Sequence, residues 1–375
     1  MSESVGQSVS QRPRIVTATS ANAGAVALVQ LHGEGAVQVL KLLTRIDDWP
    51  AGRLRLVEFD AIDGGLAVVL QGRGGGPWVQ LSPHGGVRVV QRLLDRLVEL
   101  GATHEPEPNS RQVYPEAGSA LEADMLAAMA MAASPAAIDL LARQPDLWSR
   151  AAKEGVTAAV RQAVLTRSEA LDRLITPATV VLVGPPNVGK STLTNRMMGR
   201  AASIVADLPG TTRDWVAGLV ELSSAAKKMN DNAAATNSIA VRWFDTPGLR
   251  TSDDPIEQHA IALARQVIHA ADVLIAIRDS EHDWPSIAQT GREPDIWIVN
   301  KVDDVGTQPA DAGRSGASPL AISAVTGRGI DDLHKRIVTA LGLADWQDRE
   351  LWAFSPTLRQ FCERGDARLL AGYVD

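Results

Sequence analysis

Residues 180–195, VVLVGPPNVGKSTLTN, constrain the fold of this 375-residue chain more than any other stretch, because an apolar strand runs directly into a glycine-rich loop. Gly184-Pro185-Pro186-Asn187-Val188-Gly189-Lys190-Ser191 satisfies the spacing G-x-x-x-x-G-K-[ST] at every required position. The chemistry needs those residue types. Glycines let backbone N–H groups turn inward around phosphate oxygens, and Lys190 neutralises the β- and γ-phosphates. Ser191 offers a hydroxyl to Mg²⁺, and the helix that follows points its positive end at the anion. The expected phosphate-binding set is Asn187, Val188, Gly189, Lys190, Ser191 and Thr192.

Four further elements follow in a fixed order. Gly210-Thr211-Thr212-Arg213-Asp214 lies in a polar loop, where Thr212 is expected on Mg²⁺. The strand at 239–244 ends in Asp245-Thr246-Pro247-Gly248, a D-x-x-G element. There Asp245 would hold the Mg²⁺ shell and the Gly248 amide would reach a γ-phosphate. The apolar run 296–299 leads into Asn300-Lys301-Val302-Asp303. A desolvated Asp303 accepts from guanine N1–H and the 2-amino group, and adenine lacks both donors. Asn300 braces that site and the Lys301 stem lies over the purine face. Ser323-Ala324-Val325-Thr326-Gly327 closes the pocket, with the Ala324 amide expected to face guanine O6. N-K-x-D alone is often a surface turn. Five elements in order, each beside a strand, imply a domain that binds GTP and GDP with Mg²⁺.

The chain is 45% apolar and 22% charged, a soluble globular composition. No apolar run approaches the roughly 18 residues of a membrane span, so no membrane partner is expected. The single cysteine, Cys362, excludes an intramolecular disulfide and fits a cytoplasmic location. A net charge of −7 argues against broad electrostatic adhesion to nucleic acid. The expected fold class is α/β: a P-loop domain with a mostly parallel sheet, inserted in a helical domain and preceded by a small α+β domain. In this reading residues 1–14 form a flexible tail and 15–103 the α+β domain. Residues 117–174 form the first helical part, 175–342 the nucleotide domain and 343–375 the second helical part. Strand-like runs at 25–31, 65–70 and 78–81 precede a helical stripe at 87–100. Leu121, Met125, Leu126 and Met129 recur at helical spacing, and Pro135 and Pro145 are expected to break this region into short helices. A polar hairpin tip is expected at 223–238, and a last helix at 356–370 packing back on 117–174.

GPPNVGKSTL, ASIVADLPGTTRDW, DTPGLR and ISAVTGRGIDDL together resemble the TrmE/MnmE tRNA-modification GTPases. The layout agrees, and NAGAVALVQL and VQLSPHGG resemble the family's N-terminal strand and glycine-rich turn. The resemblance implies a K⁺-stimulated GTPase that dimerises and pairs its G domains. It also implies modification of a tRNA wobble uridine with a flavoprotein partner and a folate. Several family positions differ. Ala23 and Gln30 stand where the family has arginines, Gln80 stands for a glutamate, and Ser82 for a larger polar residue. The family's asparagine-glycine-lysine signature is absent from ALEADMLAAMAMAA, and the chain ends AGYVD instead of in the family's cysteine motif. Cys362 reads as a partly buried helical thiol and not a catalytic one. Two functions follow. One is a hydrolase in wobble modification or a related RNA process. The other is a diverged regulatory switch with another client, such as a ribosomal surface, and without folate.

For hydrolysis, Leu249 stands where Ras-type enzymes orient water with glutamine, so another group must do so. The resemblance assigns K⁺ to Asn187 and to the loop 202–210; Asn187 also reads as a loop-capping amide. Glu257, twelve residues past Asp245, matches the family's water-orienting glutamate. Asp254-Pro255-Ile256-Glu257 equally reads as a capped helix start, and the two roles are compatible. The expected catalytic set is Glu257, Thr212 and Gly248. His84 reads as a turn residue bonded to backbone, and His259 and His269 carry no metal-ligand spacing.

Overall fold

The computed structural model describes residues 12–19, 24–72, 76–199, 216–223, 238–246, 265–303, 318–347 and 349–375. The chain divides into two compact units, residues 1–127 with 368–375, and residues 128–367.

The first unit is built on a six-stranded sheet. Its strands are β1 (Arg14–Thr17), β2 (Val29–His32), β3 (Arg55–Phe59), β4 (Asp63–Gln71), β5 (Pro77–Ser82) and β6 (Thr103–His104). They lie in the order β3-β4-β5-β2-β1-β6. Every pairing is antiparallel except β1 with β6. Alternation decides which face is buried. Leu31, Val79 and Leu81 point into a core shared with helix α1 (Ala36–Thr44) and helix α2 (Val87–Glu99), through Leu40, Leu43, Leu93 and Leu97. The strand-like runs at 25–31, 65–70 and 78–81 fall on β2, β4 and β5, and the helical stripe falls on α2. The proline-bearing stretch after Ala102 is more ordered than its composition suggests. It holds β6 and a helical turn, α3 (Ser110–Val113), closed by a capping box between Asn109 and Gln112. His84 is anchored by a side chain as well as by its turn: Asp63 accepts its backbone N–H, and the ring Nδ1 lies 2.8 Å from Asp63 Oδ1.

Helix α4 (Ala120–Met131) buries Leu121, Ala123 and Met125, with Leu126 and Met129 half-buried. In the second unit, α5 (Pro135–Glu154) and α6 (Ala158–Leu171) precede the nucleotide domain. Pro135 starts α5, but Pro145 does not end it. A proline inside a helix removes a donor and pushes on the preceding turn. The neighbouring Gln144 is buried, with Nε2 donating to Leu140 O at 3.2 Å and to Glu350 O at 3.0 Å. Its Oε1 accepts from Trp352 N, and Trp148 Nε1 donates to Trp352 O. The helix continues through the proline, and this stretch is clamped to residues 350–352.

The helix expected at 356–370, by contrast, is divided. Helix α10 (Pro356–Arg364) ends at Gly365, whose φ is 73°, and α11 (Ala367–Val374) follows. Helix α10 packs back on α6, as the sequence suggests. Its Phe361 ring meets Trp148 edge-on, and Cys362 is buried.

The second sheet has the order β12-β11-β10-β7-β9-β8. Its strands are β7 (Ala178–Val183), β8 (Val216–Ser223), β9 (Ser238–Asp245), β10 (Val273–Arg278), β11 (Ile296–Val299) and β12 (Leu320–Ala321). All pairs are parallel except β8 with β9. β7 and β10 are apolar but for Thr179 and the terminal Arg278, because a parallel strand is covered on both faces. The ends of β8 and β9 face each other at Ser223 and Ser238, as a hairpin requires; the tip between them lies outside the described residues. The domain's helices include α7 (Lys190–Met198), the short α8 (Ile287–Thr290) and α9 (Ile330–Ala340), and residues 265–270 are helical as well.

Candidate nucleotide site

In open α/β sheets, ligands bind beyond the carboxyl ends of the strands. The loops after β7, β11 and β12 and the end of β9 lie at that edge and carry Asn187 to Ser191, Asp245, Asn300 to Asp303, and Ser323 with Ala324. Two glycines set the phosphate loop. A Cβ on Gly184 would lie 2.2 Å from Ile277 O, so only glycine lets β7 leave the sheet beside β10 there. Gly189 sits at φ 93° at the N-cap of α7, and a Cβ on it would meet Asn300 Nδ2 at 2.3 Å. Asn187 also adopts the left-handed conformation, φ 64°, which asparagine tolerates better than most side chains.

Lys190 is buried and arches back over the loop, donating to Gly184 O at 3.0 Å and Pro185 O at 2.7 Å. Ser191 Oγ donates to Asp245 Oδ2 at 3.2 Å. The register of β7 against β9, Leu182 opposite Asp245, puts the carboxylate beside the loop. Burial pushes the Asp245 carboxyl above its ordinary range, against the opposing pull of the Lys190 charge and the Ser191 hydroxyl. Its Oδ1 is buried and has no hydrogen-bond partner among the described residues. A hydroxyl beside an orphaned carboxylate oxygen is a hard-oxygen donor set suited to Mg²⁺. That ion takes few protein ligands and shares substrate phosphates. The described residues hold no cluster of three or more histidine, cysteine or acidic side chains that would favour a different metal.

Thr246 fixes the start of the D-x-x-G turn, its Oγ1 donating to Leu182 O at 2.8 Å. Pro247 and Gly248 lie outside the described residues, as do Thr212 and Glu257. Thr192 is exposed on the first turn of α7.

The base-reading elements are joined to the phosphate loop by one buried amide. Asn300 Nδ2 donates to Val188 O at 2.8 Å, and its Oδ1 accepts from Ala324 N at 2.9 Å. The Ala324 N–H, expected to face guanine O6, is thus turned toward Asn300 here. Ser323 Oγ donates to Asp303 Oδ1 at 2.6 Å, orienting the carboxylate meant for guanine. Asp303 is exposed, so the desolvation that sharpens its choice has to come from the purine that covers it. Lys301 holds a φ of 63° and its Nζ lies 2.6 Å from Asp279 Oδ2. The motif reading passed over two residues at this edge. One is Asp279, a lone aspartate after an apolar strand. The other is Arg196 on α7, whose Nε donates to Ala324 O. Neither belongs to a spaced pattern, so no local signal marks them.

A family model described as 50S ribosome-binding GTPase matches residues 179–301. The tRNA modification GTPase MnmE of Symbiobacterium thermophilum is 27% identical over 400 residues, covering 88% of this chain and 82% of that protein. Its counterpart in Thiobacillus denitrificans is 29% identical over 332 residues, covering 75% and 68% respectively. Among solved structures, the G domain of the T. maritima FeoB iron transporter is 22% identical and covers 44% of this chain and 98% of that one. Its TM-score is 0.31. The chain is a P-loop GTP hydrolase, similar over most of its length to the TrmE/MnmE tRNA modification GTPases.

Proposed function

We propose that the protein is a Mg²⁺-dependent GTPase, stimulated by K⁺ through pairing of its G domains, that acts in tRNA wobble-uridine modification or a related RNA process. The observation that carries this is the convergence of Lys190, Ser191, Asp245, Asn300, Lys301, Asp303, Ser323 and Ala324 on one edge of the second sheet. In this reading the residues 175–342 form the GTPase domain, between helical parts at 117–174 and 343–375, after an N-terminal domain at 15–103. The resemblance assigns the K⁺ role to Asn187, which sits in the left-handed conformation within the phosphate loop. Glu257 orients the attacking water, Thr212 joins the Mg²⁺ shell, and the Gly248 amide contacts the γ-phosphate. Glu257→Ala is expected to leave nucleotide affinity intact and lower turnover about tenfold; unchanged turnover reduces Glu257 to a helix cap.

A second reading, a regulatory switch without folate chemistry and with another client such as a ribosomal surface, has its own observation. Gln30, at a family arginine position, is buried with both ends engaged: Nε2 donates to Val113 O, and Oε1 lies 2.9 Å from His32 Nε2. For folate, the first unit still offers a cleft lined by His32, Trp78, Arg111 and Tyr114. There the imidazole stacks on the indole, and the buried Trp78 Nε1 lacks a partner among the described residues. A planar anion fits those groups. Titration with 5-formyl-tetrahydrofolate separates the readings: saturable heat favours the first, none the second. Stimulation is tested by GTP turnover in KCl and NaCl at matched ionic strength over a range of protein concentrations. A K⁺-specific, concentration-dependent rise supports pairing, and a rate indifferent to both contradicts it.

A further inference from the structure

Asp279 follows the last residue of β10 and is 1% exposed, yet no motif explains a buried carboxylate there. The parallel register pairs Arg278 with Val299, and Asn300 N donates to Arg278 O, so Asp279 lies beside the start of the base-reading loop. Its two oxygens have separate duties. Oδ2 receives Lys301 Nζ at 2.6 Å. Oδ1 accepts the Glu281 N–H at 3.0 Å and lies 2.6 Å from His282 Nδ1. The carboxylate is therefore fixed in its plane and cannot rotate to follow a moving lysine. The turn that holds it is itself braced. Arg278 donates to His282 O, and its guanidinium lies 4.8 Å above the Trp284 ring, which packs edge-on against the buried Trp297.

We propose that Asp279 is a positioning residue for the guanine pocket, tethering the Lys301 ammonium so that the lysine stem is set across the purine plane before nucleotide arrives. The inference rests on the guanine-nucleotide reading above. A lysine stem is rich in rotamers, and freezing it on binding costs affinity. A buried anion that freezes it beforehand removes that cost from the binding step. Burial alone would raise the Asp279 carboxyl, but the Lys301 and His282 contacts and the Glu281 N–H hold it down to about 2. It is therefore ionised in the folded protein near neutrality.

The test uses the purified full chain and a fluorescent mant-GDP probe. Asp279→Asn keeps the shape but weakens the charge-assisted contact, and is expected to raise the dissociation constant about tenfold. GDP and IDP should lose equally, because Lys301 meets the ring face and not the 2-amino group. In a Lys301→Ala background the same change should add nothing. Unchanged affinity in Asp279→Asn, or an equal loss with Lys301 already removed, overturns the proposal. Should Asp279→Asn fail to fold, amine footprinting of the wild-type protein decides. Lys301 is expected to resist acylation relative to Lys335 with and without GDP, and full reactivity in either state overturns the tether. Wild-type protein that binds no mant-GDP at all would instead sink the nucleotide reading on which the tether depends.

Discussion

Replacing Asp303 by asparagine tests the base-reading chemistry at a single atom. The carboxylate accepts two hydrogen bonds from guanine, N1–H and the 2-amino group, and Ser323 Oγ at 2.6 Å holds it in register for both. Each bond to a charged acceptor is worth about 1.5–3 kcal/mol. Asp303 is exposed in the structure, so solvent screening argues for the lower end, about 3 kcal/mol for the pair. That corresponds to roughly a 100-fold loss of GDP affinity. The asparagine amide offers a donor where the carboxylate offered only acceptors. Xanthine, which carries a carbonyl in place of the 2-amino group, should therefore bind the variant better than it binds the wild type. Competition of GDP, XDP and IDP against mant-GDP reads both effects. Asp303→Asn protein that keeps wild-type GDP affinity, or that gains nothing for XDP, would refute the assignment of Asp303 to the guanine edge.

Three further outcomes follow from the geometry. Gly189→Ala places a Cβ 2.3 Å from Asn300 Nδ2 at a φ of 93°, so it should break the Asn300–Val188 tie and weaken mant-GDP binding about tenfold or more; unchanged binding would show the tie to be dispensable. Gln144→Leu strands the Glu350 carbonyl and the Trp352 N–H beside Pro145, and should destabilise the second unit by about 2–4 kcal/mol, read as a lower unfolding midpoint. Burial pushes the Cys362 thiol up to about 11, with Arg161 and Arg359 opposing, so its reaction with a disulfide reagent at pH 8 should be on the order of 100-fold slower in folded than in unfolded protein. Because the folded thiol holds its proton more tightly than the ordinary value near 9, its contribution to stability is complete below that pH. It is lost as pH rises toward about 11, and a thermal midpoint insensitive to Cys362→Ala across that window would contradict this.

The phosphate loop and the base-reading run were legible because backbone geometry and donor chemistry restrict residue type at each step. Gly184 and Gly189 cannot carry a Cβ, and Asn300 must both give and accept a hydrogen bond. β7, β9 and β11 were equally plain, being apolar runs that end in those motifs. β1, β3 and α1 carry weaker signals: β1 has four residues, and β3 is an edge strand with Leu56 exposed. The buried Gln144 beside Pro145 finds its partners at Glu350 and Trp352, some two hundred positions away, and no local window contains that packing. Asp279 was invisible for the same reason, since its partner Lys301 comes from the next strand of the sheet. Local chemistry was readable, and long-range satisfaction of buried polar groups was not.

The most direct measurement of the central claim is phosphate release by the purified chain from GTP and from ATP, side by side, with and without Mg²⁺. The account predicts Mg²⁺-dependent release from GTP that Lys190→Ala abolishes, and release from ATP at the background rate. Equal turnover of the two nucleotides, or release that Lys190→Ala leaves untouched, would contradict it.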